Sequence, residues 1–235
     1  MAKQEEKPFS EQIIAFNREL AYTGGLPPGF RVINPYTDYS ETVQVMERFY
    51  RTYYNDPNPR RFIVGINPGR YGSAVTGVPF TDTKRLESVC GIRMESAHTH
   101  EVSSVFVYDM IDAYGGAPLF YRDFYINSLF PLAILRETAN GKWVNANYYD
   151  MPAIPAAMEA YMVDSLRKQI GFGLDVSEVL VLGKKNAAYV AALNKKAGLF
   201  GRLTVLEHPR FIQQYKSKEK AFYIDKYLRA LKRPE

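Results

Sequence analysis

The chain has 235 residues, 46% of them hydrophobic, enough to bury a full core and a length that fits one large domain better than two. Its 30 basic and 25 acidic residues leave a formal charge of +5, a mild excess that permits a polyanionic partner without requiring one. One cysteine, Cys90, excludes an internal disulfide framework and a four-cysteine metal site, and the three histidines, His98, His100 and His208, lack an acidic cluster that would complete a coordination set.

The first residues, "MAKQEEKPFSEQ", are charged and lack the apolar core of a signal peptide. No run approaches the ~20 apolar residues of a membrane span, so a soluble, cytoplasmic protein is expected. Ser10 can cap a helix to about Tyr22, with Ile13, Ile14, Phe16 and Leu20 on its apolar face. After "AYTGGLPPGF", Ser40 can cap a second helix on which Val43, Met46, Phe49, Tyr50 and Tyr53 recur at three- and four-residue spacing. "NDPNPR" ends it.

Four short apolar runs then read as buried strands: Phe62 to Asn67, Phe124 to Leu129, Val179 to Leu182 and Leu203 to Leu206. The clearest helices between and after them are Pro152 to Ile170, Asn186 to Ala197 and Lys218 to Leu231. Strands separated by helices predict an α/β fold, a four-stranded parallel sheet covered on both faces in a three-layer α/β/α domain. "TANGKWVNANYYDMP", which holds the only tryptophan, Trp143, reads as an exposed excursion that packs against the N-terminal extension.

Ligands of such folds bind beyond the carboxyl ends of the strands, so the residues at the strand exits carry the information. They are "NPGRYG", "NSLFPL", "GKKNAA" and "HPRF". Asn67, Asn127 and His208, all able to hydrogen-bond a small planar ligand, fall at three of the four. Each has a plainer role available: Asn-Pro-Gly is a good turn, an asparagine can satisfy nearby backbone, and a histidine at a strand end can be structural. Their convergence is the main signal.

The stretch after the first strand, "GINPGRYGSAVTGVPF" from Gly65 to Phe80, resembles the first motif of the uracil-DNA glycosylase superfamily. The form is that of the single-strand-selective monofunctional enzymes: Gly-x-Asn-Pro-Gly, an aromatic-Gly pair, then Thr-Gly-Val-Pro-Phe. The likeness continues in order through "EVSS" at 101–104, "FYINSLFPL" at 124–132, "VLVLGKKNA" at 179–187 and "LEHPRF" at 206–211. It covers about Arg61 to Leu231. Residues 1–60 are then a helical extension packed on a glycosylase-like domain formed by 61–235.

The resemblance implies hydrolysis of the bond between uracil, or a related modified pyrimidine, and deoxyribose in DNA, with the base flipped out of the stack and no cofactor. Asn67 would position the attacking water, and His208 would stabilise charge building near O2. Asn127 would read O4 and N3–H, and Phe80 would stack on the base. Gly65, Ile66, Pro68, Gly69, Tyr71, Gly72 and Ser73 would shape the pocket, with Gly69, Gly72 and Ser73 leaving room beside the 5-position and so admitting 5-substituted uracils. Lys184, Lys185 and Lys216 would meet phosphates, with Arg210 and Phe211 as candidate wedges into DNA.

The chain departs from the family pattern at several points: Arg70 stands where the motif has proline, Ser73 where methionine is common, and "HPRF" where His-Pro-Ser-Pro is usual. A non-catalytic nucleic-acid-binding module and a hydrolase of free nucleosides remain alternatives at this level, because fold alone does not separate them.

Overall fold

A computed structural model describes residues 7–232. Its central sheet has four parallel strands: β2 (Arg61–Gly65), β3 (Phe124–Ser128), β6 (Asp175–Leu182) and β7 (Arg202–Leu206), in the order β3-β2-β6-β7. All four expected strands are present. Every residue of β2 and β3 is buried, which is why both read as continuous apolar runs rather than alternating ones.

The chain leaves β2 to build β3 on one side and returns to build β6 on the other. Right-handed crossovers then place the intervening helices on opposite faces of the sheet. Helix α6 (Val102–Tyr114) packs with α10 (Pro209–Tyr215) and α11 (Lys220–Leu231), whereas α9 (Lys184–Ala197) packs on β6 and β7. The crevice between the diverging loops opens at the carboxyl end of β2.

The ends of several helices differ from expectation. The first, α1 (Phe9–Arg18), starts at Pro8 rather than at a Ser10 cap, because its first free N–H groups, those of Phe9 and Ser10, donate to the carbonyls of Asp56 and Tyr54. Glu41, not Ser40, precedes α3 (Thr42–Tyr53). Helix α8 (Ala156–Ile170) starts four residues later than expected, since Pro155 disfavours helical geometry at Ile154. Conversely, α9 begins two residues early, which places Lys184 and Lys185 in its first turn.

A second, antiparallel sheet was not anticipated. Strand β1 (Phe30–Ile33) pairs with β4 (Ala133–Glu137), which pairs with β5 (Trp143–Ala146). The extension is therefore not purely helical, and the Trp143 stretch is the outer strand of a sheet, its ring 4.2 Å beneath the guanidinium of Arg31. Phe9 of the extension packs against Tyr54, Tyr125 and Phe172, so residues before 60 share the main core. Among the described residues no helix is long and apolar enough to cross a membrane.

Candidate active site

The three strand-exit residues lie around the carboxyl end of β2, and two of them face one niche. Asn67, Phe80 and His208 line it together with Gly69, Ser73, Glu101 and Ser128. The niche opens into a larger cleft of about 740 Å³, with which it shares Ile66, Asn145, Asn147, His208 and Arg210.

Asn67 is held from both sides by backbone at the end of β5 and just beyond it. Its Nδ2 donates to the carbonyl of Ala146 (3.0 Å), and its Oδ1 accepts the N–H of Tyr148 (3.1 Å). A flipped amide would set a donor against a donor, so its orientation is determined. Tyr148 is held in turn: its hydroxyl donates to Asn186 (2.8 Å), whose own Nδ2 donates to the carbonyls of Val64, Gly65 and Leu182. The ends of β2 and β6 thus brace the residue that braces Asn67.

His208 caps α10, and its Nδ1 accepts the N–H of Arg210 at 3.2 Å. The ring proton is therefore on Nε2, leaving a neutral imidazole with a donor to offer. Burial first, and then the charge of Arg210, push its pKa down from 6.5 to about 4, so it stays neutral at physiological pH.

Phe80 is the only non-glycine residue with positive φ (53°) among the described residues, a conformation that costs about 1–3 kcal/mol. The Thr76 hydroxyl holds this turn by donating to the carbonyl of Thr81 (2.7 Å) and accepting the N–H of Val78 (3.2 Å). The strain lays the ring over Gly65, where a Cβ would come within 3.0 Å of it, and against His208 at 5.8 Å between centroids. Gly65 is thus needed to admit Phe80, and its Cβ space is taken by that ring rather than by a ligand.

Asn127 is buried at the end of β3, next to Ser128, and its side chain is not among the groups that line the niche. Its Oδ1 accepts the N–H of Ser128 (2.8 Å) and its Nδ2 donates to the hydroxyl of Tyr125 (2.7 Å). The backbone donor determines the amide's orientation and leaves one lone pair and one N–H unused.

The largest difference from expectation concerns Gly69 and Gly72. The space they leave is not empty: a Cβ on either would collide with the carboxyl of Glu101. Burial, and to a lesser extent Asp82, raise the pKa of that carboxyl to about 7 against the opposing charge of Arg210. In the unfolded chain it ionises near 4.5, so its contribution to stability is complete below that pH and is lost as the pH rises through 7. Glu101→Gln, neutral throughout, is expected to exceed the wild type by on the order of 1–3 kcal/mol at pH 8 and to show no gain below pH 4.5, as read from urea midpoints.

The remaining expected residues lie around the mouth or outside it. Lys184, Lys185, Arg210 and Phe211 line the larger cleft, with Tyr149 and Tyr215 beside them. Lys185 sits 4.4 Å over the ring of Tyr149. Lys216 does not line the cleft and is paired with Glu219 (2.8 Å). Tyr71 is exposed beneath the guanidinium of Arg70 and faces a separate cavity, and Pro68 lines neither niche nor cleft. Arg70, which stands where the motif has proline, uses the N–H a proline lacks: it donates to Oδ1 of Asn145 (3.0 Å), while its guanidinium donates to the carbonyl of Trp143 (2.6 Å).

The sequence reading missed Glu101, Ser128, Asn145, Asn147, Tyr148 and Asn186. The alternating asparagines of "VNANYY" were the available signal for part of this set, since a strand presents such residues on one face.

The family model of the uracil DNA glycosylase superfamily matches residues 52–232. Among solved structures, the chain is similar to SMUG2 of Pedobacter heparinus, with 46% identity, a TM-score of 0.92, and coverage of 95% of this chain and 96% of that one. No curated protein sequence matches it. A family model that spans the sheet and every strand exit, together with this structural agreement, makes the chain a member of the uracil DNA glycosylase superfamily.

Proposed function

We propose that the protein is a monofunctional DNA glycosylase that hydrolyses the N-glycosidic bond of uracil in DNA. The observation that carries this reading is the meeting of Asn67 and His208 in one niche that a strained aromatic ring, Phe80, also lines, each of the two oriented by backbone partners. Preorganised polar groups of this kind need no rearrangement as charge develops.

In this reading a flipped uracil stacks on Phe80, with O4 toward the spare Nδ2–H of Asn127, N3–H toward its spare Oδ1 lone pair and O2 toward Nε2–H of His208. The unflippable amide of Asn127 disfavours cytosine, which presents the opposite pattern. Asn67 offers its remaining Oδ1 lone pair to a water below C1′. The water oxygen bonds to C1′ as the N1–C1′ bond breaks and the bonding pair passes to the base; the water gives up one proton as it becomes the C1′ hydroxyl, and the uracil anion takes up one proton on N1, so the two balance through solvent. His208 donates most strongly when O2 is most negative, which favours the transition state over the bound substrate.

The niche contains no lysine among the described residues, consistent with hydrolysis rather than a Schiff-base route to strand cleavage. Outside it, the first turn of α9 brings Lys184, Lys185 and the positive end of the helix dipole to the cleft, a setting that favours phosphate. The cleft's volume and its aromatic and basic rim suit a nucleic-acid strand better than a free nucleoside.

The test is release of free base from single- and double-stranded oligonucleotides carrying one uracil, with deoxyuridine in parallel. Base release that leaves an abasic, uncut strand is expected. Hydrolysis of deoxyuridine alone would redirect the reading to a nucleoside hydrolase, and inactivity on every substrate would redirect it to a binding module.

A further inference from the structure

Glu101 is a carboxyl that the mechanism above does not use, although it lines the same niche as Asn67, Phe80 and His208. It enters at the start of α6, where its backbone N–H donates to Oδ2 of Asp82 (2.7 Å), and its side chain reaches over Gly69 and Gly72. Any side chain at either glycine would take its place. The carboxyl receives no hydrogen bond from a described residue, and its neighbours are the charges of Asp82 and Arg210. It is therefore an acceptor held in a partly buried wall with its capacity unspent.

The orientation of the base proposed above decides what that wall meets. With O2 at His208, N3 and O4 at Asn127, and C1′ at Asn67, three sides of the pyrimidine are occupied. The C5 edge then falls to the remaining lining of the niche, where the Glu101 carboxyl stands over Gly69 and Ser73 belongs to the same turn. We infer that Glu101 is the specificity-determining residue for the pyrimidine 5-position, accepting a hydrogen bond from a substituent that carries an O–H and rejecting an apolar methyl. This rests on the proposed uracil reading and deepens it.

The chemistry follows from what each substituent does to the carboxyl. Hydrogen at C5 leaves it as it is. A hydroxymethyl group supplies the missing donor, and a hydrogen bond to an otherwise unpartnered carboxyl oxygen in a partly buried site discriminates strongly. A methyl group removes water from the carboxyl and offers nothing in return. Behind Glu101 lies a separate cavity of about 320 Å³, which Gly69, Glu101, Ser103, Asn145 and Arg210 also border. Truncation of Glu101 would join it to the niche and make room for the methyl.

The experiment measures base release from single-stranded oligonucleotides carrying uracil, 5-hydroxymethyluracil or thymine, by the wild type, Glu101→Gln and Glu101→Ala. The wild type is expected to release the first two and to leave thymine. Glu101→Ala should lower the hydroxymethyluracil-to-uracil rate ratio by roughly 10-fold or more and raise the thymine-to-uracil ratio, with Glu101→Gln, which keeps one acceptor oxygen, between them. Each ratio is internal to one preparation, so partial loss of folded protein cancels. Ratios unchanged in both variants while uracil is still released would overturn this inference alone. Failure of the wild type to release uracil would overturn the base orientation itself, and the inference with it.

Discussion

Replacing His208 with alanine is expected to slow uracil release by roughly 10²–10³-fold, the usual cost of removing one preorganised donor from a developing oxyanion. The loss should fall on kcat more than on KM, because the donor strengthens its bond only as O2 gains charge. Asn67→Ala should cost a comparable factor by a different route, through loss of a positioned water. Single-turnover base release at saturating enzyme measures both. Retention of more than a tenth of the wild-type rate in either variant would remove that residue from its proposed role.

The same histidine makes a pH prediction. In the folded chain it takes a proton only near pH 4, whereas in the unfolded chain it does so near 6.5. Protons therefore favour the unfolded state. The stability that His208 contributes is complete above pH 6.5 and is lost as the pH falls from there toward 4. Urea titrations at pH 7.5 and 4.5 should show His208→Ala losing on the order of 2 kcal/mol less than the wild type between the two. The rate of uracil release should show no titration of this residue between pH 5.5 and 8.

The second large effect lies far from the chemistry. Arg60 immediately precedes β2 and is 0% exposed. Its Nε donates to the carbonyl of Tyr121 (3.0 Å), Nη1 to Asn58 O (2.7 Å) and Asp56 Oδ1 (3.0 Å), and Nη2 to Asp56 Oδ2 (2.8 Å). The guanidinium also lies 4.8 Å from the ring of Phe9 and 4.9 Å from that of Tyr54. Arg60→Ala strands a partly buried carboxylate and two carbonyls together, and is expected to cost about 3–5 kcal/mol. Arg60→Lys should recover only part, since one ammonium cannot span the same fork. Well below the urea midpoint, both variants should release uracil at close to the wild-type rate, which separates a stability defect from a catalytic one. An unchanged midpoint for Arg60→Ala would mean that the buried network is offset by its own desolvation.

The legible parts of this fold share a cause. Strands β2 and β3 and the second half of β6 are buried on both faces and appear as short apolar runs with a turn after them; β7, an edge strand buried only at Leu206, carries the same kind of run, and the polar residue at each exit stands out. Strands β1 and β5 carry no such mark: "FRVI" and "WVNA" are short and mix polar with apolar residues. Strand β1 must wait for β4, a partner far along the chain that no local pattern announces, whereas β5 pairs with β4 across a tight turn at Asn140-Gly141, a local hairpin signal that the strand reading passed over. The asparagines that this sheet brings to the niche, Asn145 in β5 and Asn147 just after it, went unread with it.

The glycines mark where local reading ends. Sequence alone determined the parallel sheet and the exits that carry Asn67, Asn127 and His208, because periodicity and turn chemistry are properties of neighbours along the chain. Which atoms fill the space beside those glycines was decided only by the tertiary structure. Phe80 covers Gly65 through a strained turn, and Glu101 arrives over Gly69 and Gly72 from another helix. Such contacts join segments that meet only when the core closes, and no local spacing encodes them.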